Sequence, residues 1–83
     1  MSEPYTTSDT SLAAWLHYKG HKLVGFMQDP YDNSRKIAVL VKRDDTGELE
    51  REYLKPVTIN LRHYYKSIRA VHYTLREGRE IKK

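Results

Sequence analysis

Apolar positions along this chain change their period from one segment to the next, and those changes mark out its elements. In "TSDTSLAAWLHYKG", Leu12, Trp15 and Leu16, with Lys19 a turn on, fall on one face at spacings of three and four, which predicts a helix. Thr7, Ser8 and Asp9 are N-cap candidates, because each side-chain oxygen can accept a free N–H of the first turn. Gly20 can take the left-handed conformation that ends a helix. The segments "HKLVGFMQ" (21–28) and "RKIAVLVK" (35–42) are short and rich in Val, Ile and Phe, and "DPYDNS" between them is dense in turn formers. That pattern predicts an antiparallel hairpin.

"IAVLV" does not alternate. A continuous apolar run implies burial on both faces, which a lone two-stranded ribbon lacks. Helices on one side and a second copy of the chain on the other would supply it, and an open strand edge could extend the sheet across a dimer. "DDTGELEREYLKP" (44–56) reads as a second helix, with Asp44 or Asp45 as cap, Leu49 and Tyr53 turned inward and Pro56 as the stop. A longer helix runs from about Thr58 to Glu77, with Thr58 or Asn60 as N-cap and Gly78 as its end. The expected order is α-β-β-α-α in a small α+β domain, a two-stranded hairpin packed by helices and completed by dimerisation. The domain spans residues 7–77, between a flexible arm (1–6) and a frayed basic tail (78–83).

Size sharpens the dimer expectation. A domain of 83 residues buries only about 60% of its unfolded surface, and the chain has no cysteine, so disulfide and thiolate staples are closed to it. Association with a second copy is the remaining common remedy. The start "MSEPYTTSDTS" has no apolar signal core, and "IAVLV", the longest apolar run, is far too short to cross a bilayer. A cytoplasmic protein without membrane association is expected.

Charge is placed unevenly. Residues 1–54 hold 7 basic and 9 acidic side chains, whereas residues 55–83 hold 8 basic and 2 acidic. The excess points the C-terminal part toward an acidic or nucleic-acid partner. Within it, "RHYYKSIRAVHYTLR" (62–76) has no acid at all. On a helix, Leu61, Tyr64, Ile68, Val71 and Leu75 form one apolar seam. Arg62, Lys66, Arg69, Tyr73 and Arg76 recur on a neighbouring face. These five are the candidate nucleic-acid-binding residues, because Lys and Arg displace counterions from phosphates and Tyr73 or His63 can stack on a base. The competing reading is a solvated face whose arginines pair with Glu48, Glu50 and Glu52.

Little else in the chain suggests chemistry. His17 and His21 are four apart, but Gly20 interrupts the helix between them, and no third ligand completes a zinc set. His63 and His72 point to opposite sides of one helix. None of Ser8, Ser11, Ser34 and Ser67 lies in a nucleophile elbow, and the three glutamates lack an apolar pocket to raise a pKa. No metal, cofactor or catalytic residue is assigned, and a non-enzymatic protein is expected. Phe26, Tyr5 and Tyr31 are candidates for a partner surface.

Ser8, Asp9, Leu12, Ala13, Ala14, Leu16 and Gly20, with Tyr65, Ile68 and Leu75 further on, resemble a family of short phage and prokaryotic proteins catalogued only as a domain of unknown function. "IAVLV" stands where that family would have aromatics. The resemblance implies a phage or mobile-element setting and supplies no catalytic residues. Two functions are expected to compete: a nucleic-acid-binding protein, and a protein-interaction module that inhibits or adapts a host protein.

Overall fold

The computed structural model describes residues 4–32 and 34–81. Its elements are β1 (Pro4–Thr7), α1 (Thr10–Tyr18), β2 (Leu23–Gln28), β3 (Lys36–Val41), α2 (Thr46–Tyr53) and α3 (Leu61–Glu77). The fold is α+β: one antiparallel sheet in the order β1-β3-β2, packed by three helices. The expected α-β-β-α-α succession holds, with one strand added ahead of it.

That strand is the main departure from the sequence reading. Residues 4–6, read as part of a flexible arm, and Thr7, read as a cap candidate, pair with β3 from Pro4 opposite Val41 to Thr7 opposite Ala38. A hairpin has two edges, and β3 presents unpaired N–H and C=O groups along its outer one. Proline is tolerated on an edge strand. Tyr5 fastens the strand from its side chain, since its hydroxyl donates to Glu50 Oε2 at 2.6 Å on α2. Burial, and then the Glu50 carboxylate, push the Tyr5 phenol up from its usual pKa. Residues 1–3 of the expected arm lie outside the described residues.

The third strand also explains "IAVLV". Ala38 and Leu40 join the helix-packed core, while Val39, which points the other way, is still only 1% exposed. Its cross-strand partner on β2 is Gly25, whose missing side chain leaves room for a covering segment on that face. The chain end adds more cover: Arg79, read as part of a frayed tail, accepts at its carbonyl from Phe26 N–H (2.9 Å), and Ile81 N–H donates to the Phe26 carbonyl (2.7 Å). This approach needs Gly25, because a Cβ there would collide with the Arg79 carbonyl. The pairing shifts register between Leu23 and Gly25, the mark of a bulge, which re-aims the strand. Residues 82–83 of the expected tail lie outside the described residues.

Helix α1 is the centre of the domain. Leu12 through Leu16 are all buried, so its apolar surface is wider than the single face read from spacing. The reason is that α1 meets the sheet, α2 and α3 at once. Asp9 is its cap, accepting from Leu12 N–H at 3.1 Å, and Gly20 follows it at φ 103°. Trp15 donates from Nε1 to the Leu49 carbonyl at 2.9 Å, tying α1 to α2. Leu49 is buried and Tyr53 packs against the core. Asp45 precedes α2, but its carboxylate turns to Arg43 instead of capping. Among the described residues no helix is long and apolar enough to cross a membrane.

Candidate nucleic-acid interface

Helix α3 begins where Asn60 Oδ1 accepts from His63 N–H at 3.0 Å. The Asn60 N–H in turn donates to the Tyr18 hydroxyl at 2.9 Å, which fixes the start of α3 against the end of α1. Tyr64 reaches the Ser11 carbonyl at 3.1 Å and sets its ring edge-on to Tyr18 at 5.9 Å. At the other end, Lys36 Nζ donates to the Leu75 carbonyl at 2.7 Å, a cation placed where the helix dipole favours one. The helix is therefore tied to the rest of the domain at both ends.

Its inward face differs from the expected seam at two positions. Val71 and Ser67 are the buried residues, with Tyr64, Ile68 and Leu75 packed around them. Ser67 is buried because His17 Nδ1 pairs with its hydroxyl at 2.9 Å; burial holds the His17 imidazole below its ordinary pKa. Leu61 is 76% exposed. It lies about 80° around the helix from Val71, on the rim of the packed face.

All five candidate residues, Arg62, Lys66, Arg69, Tyr73 and Arg76, are exposed. At about 100° per residue they centre on the side diametrically opposite Val71, not beside the seam as the spacing first suggested. The glutamates of α2 do not neutralise them. Among the described residues the ion pairs are Arg43–Asp45 at 2.6 Å and Arg76–Glu77 at 3.5 Å. The second pair is largely exposed, which makes it weak. Glu50 is taken by Tyr5.

Two aromatic rings border the cations. Tyr73, predicted to be there, is 59% exposed, and Tyr65, which was not among the five candidates, is 57% exposed. The Arg69 guanidinium stands 6.0 Å from the Tyr65 ring centroid, at the outer reach of a cation–π contact. The signal for Tyr65 was present in the sequence as its i, i+4 relation to Arg69.

Elsewhere the chemistry is sparse. His21 is 1% exposed and pairs through Nε2 with Thr46 Oγ1 at 2.8 Å. Burial, then the nearby Arg43 charge, lower its pKa. No group of three or more His, Cys, Asp or Glu side chains suited to a metal ion occurs among the described residues. A groove of about 700 Å³ crosses the side of the sheet away from the helices, lined by Pro4, Met27, Ile37 and Ile81 among others.

These features define a small α+β protein with a helix, held by hydrogen bonds at both ends, that shows cations and tyrosines to solvent. The chain belongs to the family described as Domain of unknown function (DUF5659), whose model matches residues 2–76. No curated protein and no solved structure matches the chain.

Proposed function

We propose that this is a non-enzymatic nucleic-acid-binding protein that lays α3 along a phosphate backbone. The observation that carries the reading is the exposed stripe Arg62, Lys66, Arg69 and Arg76, set opposite the packed face and unpaired with the acids of α2. From Arg62 to Arg76 the stripe is about 21 Å long at 1.5 Å per residue. Arginine meets phosphate with a bidentate fork, so three arginines and a lysine favour a polyanion over a single carboxylate. A cytoplasmic setting suits this reading, as does the phage or mobile-element setting that the resemblance to short phage and prokaryotic proteins implies.

The test is fluorescence-anisotropy binding across a salt series, with Arg62→Ala, Arg69→Ala and Arg76→Ala tested singly and together. Every arginine that neutralises a phosphate should, on removal, flatten the slope of log affinity against log salt by about 0.7 for a single strand or 0.9 for a duplex. Affinity that does not fall with rising salt sinks the proposal.

A protein-interaction module is the second reading, favoured by Leu54 at 82%, Leu61 at 76% and Val57 at 45% exposure. Aliphatics so open to water suit a partner's apolar surface. Its partner under this reading is a host protein that it inhibits or adapts. Under either reading a homodimer is compatible with the open outer edge of β1 and the groove on the sheet.

A further inference from the structure

Building on that nucleic-acid reading, we propose that α3 takes single-stranded nucleic acid in preference to duplex, with Tyr65 and Tyr73 as base-stacking planes on either side of Arg69. The three residues follow at i, i+4 and i+8, so they step along the axis by about 6 Å and swing about 40° each way from Arg69. More than half of each ring is open to solvent, at 57% and 59%. Leu61, one turn before Tyr65 and 76% exposed, extends the apolar platform.

A duplex cannot use this surface well. Its base faces are occupied by each other, and a protein reaches only phosphates and base edges. Against phosphate, a tyrosine ring offers one hydroxyl, and Leu61 offers nothing. Unpaired bases reverse the balance. Each ring presents a plane on which any base can stack, without demanding sequence, while the cations follow the backbone between. Arg69 sits between the two rings and close to Tyr65, where it can meet the intervening phosphate or stack in its own right.

Because both rings lie outside the core, their removal leaves the fold intact, which circular dichroism verifies. The experiment titrates the full chain with labelled DNA and RNA oligonucleotides of mixed sequence, single-stranded and as duplexes, at several salt concentrations. Tyr65→Ala/Tyr73→Ala and Tyr65→Phe/Tyr73→Phe are titrated alongside. The proposal expects single strands to bind at least tenfold more tightly than duplexes. It also expects the double alanine variant to lose on the order of tenfold or more on single strands alone, the phenylalanine variant to retain binding, and the salt slope to stay unchanged. Equal binding to duplex, or an alanine variant that binds single strands like the parent, overturns single-strand preference while leaving phosphate binding in place. Absence of salt-sensitive binding to every oligonucleotide overturns the underlying nucleic-acid reading as well.

Discussion

Replacing Thr46 with valine tests how the C-terminal end of β3 is joined to α2 and α1. The Thr46 hydroxyl serves two partners at once. It accepts from Arg43 N–H at 2.8 Å and pairs with His21 Nε2 at 2.8 Å, and both Thr46 and His21 are 1% exposed. Valine has nearly the same shape, so packing is kept and only the polar contacts go. His21, a buried ring, then loses the partner of its Nε2. Stranding a buried polar group costs about 1–3 kcal/mol. With a smaller loss at the partly solvated Arg43 N–H, T46V should lose about 2–4 kcal/mol. Thr46→Ser keeps the hydroxyl and deletes one methyl, for about 1 kcal/mol. A domain of this size is stable by only some 4–12 kcal/mol, so the difference is large. Trp15, the single tryptophan, is 3% exposed, and its fluorescence reports urea unfolding directly. The reasoning is refuted if T46V unfolds within about 0.5 kcal/mol of the parent, or if the serine variant is as unstable as the valine one.

Two further outcomes follow from buried groups and close approaches. His17 and His21 are both held below the ordinary histidine pKa by burial. Below about pH 6.5 the unfolded chain takes up protons that the folded one refuses, so stability should fall as pH drops through that value and level off beneath the depressed folded pKa values. A urea midpoint that is the same at pH 7.5 and pH 5 would show that neither imidazole is buried neutral. Gly25→Ala should push the Arg79 carbonyl off β2 and release the bonds that Phe26 and Ile81 make there. Faster hydrogen exchange at those two amides with little change at Val39 is the expected result, and unchanged exchange counts against the packing described.

Much of the fold was legible because local rules and tertiary packing agree along most of the chain. Asp9, Gly20, Asn60 and Gly78 stand where capping chemistry puts helix ends, and the turn-rich "DPYDNS" leaves the two strands no course but a hairpin. Strand β1 was not legible. "PYTT" is only four residues long, begins with proline and has no apolar alternation to stand out, and it is a strand because β3 offers an edge and Glu50 offers Tyr5 an acceptor. Residues 79–81 were missed for the same reason: their order comes from a glycine on a distant strand.

The candidate site divides along similar lines. Sequence alone determined that Arg62, Lys66, Arg69, Tyr73 and Arg76 share one side of a helix, because 3.6 residues per turn is a property of the backbone. Only the tertiary structure decided which way that side faces and what remains free on it. Ser67 faces inward, where His17 bonds its hydroxyl, and Leu61 stays on the rim, because α3 packs against α1 and the sheet. Rotation of a helix about its axis is set by the partners it packs against, and those partners are distant in the chain.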